Sequence, residues 1–446
     1  MGVLFSRSHL KAVAKEVGFI ERESKMKAYI FLDMLISQVF DNSQISLNDH
    51  SVELQMKHGI SITKQGIDDN FTAESTAFVR TLVEQHLQEQ LYKIVPVEGL
   101  KNFTSIKIKD STRFQVPENL KVQYPGYGGA ASKAGVHIQF EFDLVGGKIC
   151  DLHVTHALQQ DSTDGFETVE MIEPGSLLLR DLGYFNMNTL EQIDQKGAYY
   201  ISRLRPHVKI YEYKADSYQP IDIKSIHQQM KLGKLAYQEL SVYIGEEKKL
   251  PVRLIIELVP EKIVNRRLAK ANMEAKKKKC QVSDQYKAHA SLNLFISNVD
   301  QRWLTTPQIH SIYRLRWQIE LRFKIWKSYY HIHANKKMKI HRFETYLYAT
   351  LLFILINWEI VINLSAIIRE YTGKMLSVMK CYKALTLTFT ILREVLFNAV
   401  EKLKGYLEQL YNISNKQLLL EKRKCHLSLE EILYQNEFCA VYYNNN

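Results

Sequence analysis

The chain has 446 residues, 46% of them hydrophobic, which is enough for a sizeable core and two or three domains and too apolar for an intrinsically disordered protein. Fifty-nine Lys and Arg against 48 Asp and Glu give a formal net charge of +11, which favours a polyanionic partner without choosing between DNA, RNA and an acidic membrane. Five cysteines, odd in number, scattered and without a CxxC spacing, point away from a disulfide framework or a zinc site and fit a reducing cytoplasm. The first residues lack the apolar stretch and cleavage site of a secretory signal, and the loose myristoylation match at Gly2, Ser6 and Arg7 is too short to weigh.

Residues 11–100 have helical periodicity and no sustained strand alternation. Ser46-Leu-Asn-Asp begins a capped helix that stops at Gly59, and Thr63 opens the next. Two short helices around a tight turn are either a packing unit or a helix-turn-helix, and the second reading would put Thr63, Lys64 and Gln65 at the start of a recognition helix.

Strands follow. Ile106, Ile108 and Asp110 share one side of an alternating segment. Residues 136–144 alternate apolar and polar, and Gly146-Gly147 turns them into 148–156 as an antiparallel hairpin. Ser176-Leu-Leu-Leu-Arg180 is a continuous run of the kind a buried parallel strand shows, and a helix at 188–195 leads to another strand at 198–204. The order predicts a mixed sheet with helices on its faces. Residues 206–306 then interrupt it with a hairpin around Gly245 and a basic run holding Lys262, Arg266, Arg267, Lys270 and 276–279. The run is either a surface over bound nucleic acid or a solvated loop. A last strand at 291–297 precedes the segment Tyr313-Arg-Leu-Arg-Trp-Gln-Ile-Glu320-Leu-Arg-Phe-Lys-Ile-Trp-Lys327.

At about 100° per residue, one helix through that segment places Tyr313, Arg316, Trp317, Glu320, Lys324 and Lys327 in one sector and Ile312, Leu315, Ile319, Phe323 and Trp326 on an apolar stripe. A single carboxylate among cations and aromatic rings suits a group holding a divalent cation beside a nucleic-acid strand. Downstream, 346–368 is apolar enough to suspect a membrane span, but Asn357, Glu359 and Asn363 make a packed core helix the expected reading.

Asp110 and Asp181 each end an inferred central strand, so parallel neighbours would set them side by side and a helix across that edge could deliver Glu320. Three carboxylates about 5 Å apart repel by roughly 3 kcal/mol per pair at an effective dielectric near 20, so they need cations. Hard oxygen ligands without a His or Cys cluster point to magnesium or manganese, and two such ions can serve the attacking and leaving oxygens of a phosphodiester.

Asp110-Ser-Thr, Asp181-Leu-Gly-Tyr-Phe and the spacing Tyr313, Arg316, Glu320, Lys327 resemble the DDE signature of insertion-sequence transposases of the IS-four type, over about 101–339. The resemblance implies an α/β fold with a ribonuclease-H-like mixed sheet, flanking helices, a β-rich insertion and helical terminal regions. The corresponding boundaries are 1–100 for a helical DNA-binding region, 101–205 with 307–345 for the catalytic core, 206–306 for the insertion and 346–446 for the C-terminal region. It further implies Asp110, Asp181 and Glu320 as catalytic metal ligands for magnesium or manganese, with two ions. Tyr313, Arg316 and Lys327 would hold the transposon end, and the helix face adds Lys324 as a DNA contact. The expected partner is double-stranded DNA, both transposon ends and target, bound by at least a dimer in a cytoplasmic, nucleoid-associated prokaryotic protein without a membrane anchor. In some relatives a Trp of the insertion stacks on a flipped base, and Trp303, the only Trp between Pro206 and Ser311, sits near the end of that stretch, a departure from the pattern. The rival readings are a nuclease or resolvase that cuts without joining, and a DNA-binding remnant without catalysis.

Overall fold

The computed structural model describes residues 4–22, 25–39, 45–90, 100–277 and 279–421; Gly2, Lys278, Cys425 and Cys439 lie outside them. Among the described residues five helices come first: α1 (Arg7–Glu16), α2 (Ala28–Ser37), α3 (Leu47–His58), α4 (Lys64–Asp68) and α5 (Ala73–Gln88). Helix α3 starts where a reciprocal Ser46/Asp49 capping box satisfies its free amides and stops at Gly59, whose φ of 64° is left-handed. Thr63 caps α4, which is only five residues long, and Thr63, Lys64 and Gln65 are all exposed.

The sheet begins with β1 (Ser105–Gln115), β2 (Gly135–Asp143) and β3 (Ile149–His156), then α6 (Asp161–Glu167), β4 (Ser176–Arg180), α7 (Met187–Gln195) and β5 (Tyr199–Arg203). Residues 206–306 supply β6 (Ile210–Lys214), β7 (Ser217–Pro220), α8 (Ile223–Leu232), β8 (Tyr237–Ile244), β9 (Leu250–Leu258), α9 (Glu261–Lys277), α10 (Asp284–Ala290) and β10 (Leu292–Ser297). Strand order is β3-β2-β1-β4-β5-β10-β9-β8-β6-β7 in one ten-stranded sheet. Pairs β1/β4 and β4/β5 are parallel, and β10 joins β5 antiparallel. The insertion therefore extends the sheet through β10 where the sequence suggested an interruption: β10, although last in sequence, completes the hydrogen bonding of β5.

The two faces of the sheet carry separate cores. Ile106, Ile108, Leu177, Leu179, Ile201, Ile255 and Phe295 pack with the helices that follow β10, whereas Leu178, Tyr200, Leu254, Ile256, Leu294 and Ile296 pack with α7 and α8 residues such as Ile193 and Ile226. The period-2 direction of strand side chains produces this division, and it explains why β4 is buried throughout, with Leu177, Leu178 and Leu179 in a continuous apolar run. The mixed sheet with flanking helices is the expected ribonuclease-H-like α/β fold.

Helices α11 (Thr306–Arg314), α12 (Trp317–Ser328), α13 (Ile340–Thr372), α14 (Val378–Leu387), α15 (Phe389–Asn398) and α16 (Leu403–Gln417) complete the described chain. The segment read from sequence as one helix is two. At the junction the Leu315 and Arg316 amides bond to the carbonyls of Ile312 and Tyr313, and those of Gln318 and Ile319 to Leu315 and Arg316, all at three-residue spacing. That tight turn departs from 3.6-residue periodicity, so Tyr313 packs inward at 8% exposure while Trp317 turns out at 63%. Helix α13 is long and apolar enough to cross a membrane by length and composition, yet 67% of its most apolar window is buried inside the protein. Asn357 satisfies its amide on the Phe353 carbonyl at 2.9 Å, and the Trp358 indole donates to the Gly147 carbonyl at 2.8 Å. Among the described cysteines, Cys150, Cys280 and Cys381 are free.

Candidate active site

The parallel register of β1 and β4 ends with Lys109 opposite Arg180, so the next residue on each strand is an aspartate, Asp110 and Asp181. Strand spacing puts their backbones about 4.8 Å apart. Asp110 stays within β1, still paired with Phe140 of β2, and one of its oxygens accepts the Ser111 amide at 2.8 Å. Asp181 leaves β4 and caps the short 3-10 turn Leu182–Tyr184. Helix α12 packs on β1 and delivers Glu320 from its first turn.

One guanidinium joins the three carboxylates. Arg316 Nη1 lies 3.0 Å from Asp110 Oδ2, Nη2 lies 2.6 Å from Glu320 Oε1, and Nε lies 3.9 Å from Asp181 Oδ1. Burial raises the Asp110 pKa to about 6; the Ser111 amide and Arg316 oppose that rise, and Asp181 and Glu320 add to it. Burial also works against the charge on Arg316, but Tyr313 and the surrounding carboxylates outweigh it and hold its pKa above the ordinary value. The group is a three-carboxylate pocket built around positive charge, and its hard oxygen donors fit a divalent cation.

Of the remaining residues singled out from sequence, Tyr313 lies beneath the pocket and donates its hydroxyl to the Arg180 carbonyl at 3.4 Å, and burial raises its pKa to about 12. Lys327, about two turns beyond Glu320 on α12, donates to the Arg113 carbonyl of β1 at 3.4 Å, and burial lowers its pKa. Lys324 is exposed and joins none of the three carboxylates. Trp317 opens onto a 650 Å³ cleft that Arg203, Arg267, Arg314 and Arg316 also line. Trp303 stands edge-on to Phe103 and Tyr199, within the packed layer.

Sequence reasoning missed the supports beneath Asp181. Tyr184, three residues on, donates its hydroxyl to Gln139 of β2, whose amide reaches Asp161 at 3.1 Å. His137 Nε2 lies 3.1 Å from the same Asp161 oxygen, and Arg180 pairs with Glu141 at 3.2 Å. His137, Gln139 and Glu141 form the polar side of the alternation in β2, and all three are buried beneath α6 and the Asp181 turn. The Tyr of Asp181-Leu-Gly-Tyr-Phe was the available signal. A second acidic group, Asp151, His153 and Asp164, lies across the sheet from Asp110, with donor atoms within 4.8 Å of one another. There the buried Lys109 ammonium sits 2.7 Å from both carboxylates and already fills the place of a cation.

A profile of the transposase DDE domain matches residues 101–358. The chain is 30% identical to the transposase for insertion sequence element IS231E of Bacillus thuringiensis subsp. finitimus, over 92% of its own length and 88% of the relative's. It is 30% identical to that of IS231F from Bacillus thuringiensis subsp. israelensis over 97% and 94%, and 29% identical to that of IS1151 from Clostridium perfringens over 85% and 83%.

Proposed function

Because the chain belongs to the DDE transposases of insertion sequences, enzymes that act on DNA, we propose that Asp110, Asp181 and Glu320 are its catalytic residues and hold two magnesium or manganese ions. The observation that carries this is the convergence of three carboxylates from β1, the β4 exit and α12 on the single Arg316 guanidinium. When bound, the ions supply Lewis acidity at the attacking and leaving oxygens of a phosphodiester. The protein's own part is positional. The two parallel strands fix the aspartates, the Tyr184–Gln139 bond holds the Asp181 turn, and the Arg316 contact orients Glu320.

Arg316, Lys324 and Lys327 hold the DNA end, with Tyr313 packed beneath them. Arg316 and Lys327 offer charge to phosphates, Lys324 reaches solvent on the same helix, and Tyr313 sets the floor below the scissile strand. Both reactions are in-line displacements at phosphorus. In cleavage a water oxygen bonds to phosphorus as the 3′ oxygen of the element leaves. In joining, that freed 3′-hydroxyl bonds to a target phosphorus and a target 3′ oxygen leaves. The exposed Thr63, Lys64 and Gln65 of α4 offer a further contact to the ends, and synapsis of two ends requires at least two copies of the chain.

Purified protein, magnesium and a plasmid carrying the element's ends test the reading. Joined products are expected, whereas cutting without joining would favour a nuclease, and a gel shift without chemistry a binding remnant. Glu320→Gln is expected to abolish both steps while end binding persists, and unchanged cleavage would remove Glu320 from the catalytic set.

A further inference from the structure

Helix α9 of the insertion has no buried residue in its 17 positions. Its inner side, Val264, Arg267, Leu268, Ala271 and Ala275, is half-buried. Arg267 pins that side down by donating to the Ala290 and Leu292 carbonyls at 3.1 and 3.3 Å and to Asn293 Oδ1 at 2.8 Å. On the opposite side Lys262, Arg266, Lys270 and Lys277 are all exposed and fall within an arc of roughly 80° at 100° per residue, over roughly 22 Å of helix. Among the described residues none of the four meets a carboxylate. Four other exposed lysines of the insertion do: Lys209 pairs with Glu246, Lys214 with Glu212, Lys248 with Glu191 and Lys287 with Asp284. The four thus form one outward stripe of unpaired charge along a helix whose inner Arg267 lines the cleft beside Tyr313 and Arg316.

We propose that this stripe is a docking surface for the phosphate backbone of target duplex DNA, a reading that rests on the transposase function above. Spacing along the helix suits a polyanion, and no aromatic residue interrupts the stripe, so the stacking platform that a single strand requires is missing there. Three of the four cations are lysines, which bind phosphate as point charges without reading sequence. Such a surface fits a duplex of arbitrary sequence better than the element's fixed ends. The inner face of α9 packs on α10, so it is not offered to a lipid bilayer.

The test is the salt dependence of duplex binding by the full chain without divalent metal, comparing wild type with Lys262→Gln/Arg266→Gln/Lys270→Gln/Lys277→Gln. On a random-sequence duplex the slope of log affinity against log salt is expected to flatten by about 3 to 4, close to 0.9 for each phosphate that the variant no longer neutralises. On a duplex carrying the terminal sequence it is expected to hold. An unchanged slope on random duplex overturns the proposal. Equal flattening on both duplexes overturns the assignment to target, and a variant that loses only binding to phosphatidylserine vesicles would make the stripe a membrane contact instead. Circular dichroism checks that the variant is folded. Glu320→Gln, measured in parallel, should keep the wild-type slope, so failure of the catalytic assignment and failure of the docking surface are separable.

Discussion

At Arg316 one side chain supplies the charge that three carboxylates would otherwise lack. Without it Asp110, Asp181 and Glu320 would face one another uncompensated, at a cost of a few kcal/mol per pair at close range. Arg316→Ala should therefore let DNA-free protein bind Mn2+ more tightly than wild type, read as loss of the free-ion signal in electron paramagnetic resonance. Weaker binding would mean that the guanidinium builds the pocket and does not compete for it. Across the sheet, His153 is held by Asp151 and Asp164, and hydrogen bonds to both raise its pKa to about 9. Because the folded state holds this proton more tightly than the unfolded chain, the stabilisation is complete below the ordinary imidazole range near 6.5 and is lost as pH rises through about 9. The melting temperature should fall across that window in wild type, and His153→Gln should flatten the fall.

At the scale of elements, the catalytic sheet and α13 meet at a glycine. Gly147 turns β2 into β3 with φ of 75°, its carbonyl accepts the Trp358 indole at 2.8 Å, and a side chain there would run into Ile362. Gly147→Ala combines left-handed strain with overpacking, so a loss of about 1–3 kcal/mol is expected from the urea midpoint. A midpoint within error of wild type would show that the hairpin can lift from α13 freely. The glycine pair itself was legible as a turn. That α13 would be the surface the turn lands on was not, because the partner lies over 200 residues away in sequence. The α11–α12 break illustrates the same limit: periodicity grouped Tyr313 with Glu320, while tertiary packing sent one into the core and left the other at the pocket.

The whole molecule is tied together by the terminal helices. Arg393 of α15 pairs with Asp33 of α2 and, at 2.7 Å, with Glu53 of α3, and Asp33 also meets His58 at 3.0 Å. Side chains of α1, α2 and α5 share one apolar cluster with α13, α15 and the catalytic sheet. Removing one partner of a buried pair strands the other's charge, so Arg393→Ala should cost about 3–5 kcal/mol, and Asp33→Leu with Arg393→Met should lose less than the sum of the single changes. Additive losses in chemical denaturation would show that the pair is not coupled.

By itself the sequence determined the local pieces: the capping signals of α3, the apolar run of β4, the spacing from Tyr313 to Lys327 and the aspartate at the end of each central strand. These are written in short-range chemistry, where period, cap and turn residues act within a few positions. Only the tertiary structure decided that β10 closes onto β5, that the polar side of β2 is a buried support for the Asp181 turn, that Arg316 reaches all three acids while Lys324 reaches none, and that four basic side chains of α9 face outward without a carboxylate partner. Those outcomes depend on which distant surfaces exclude water together, and burial of that kind has no signature at fixed sequence spacing.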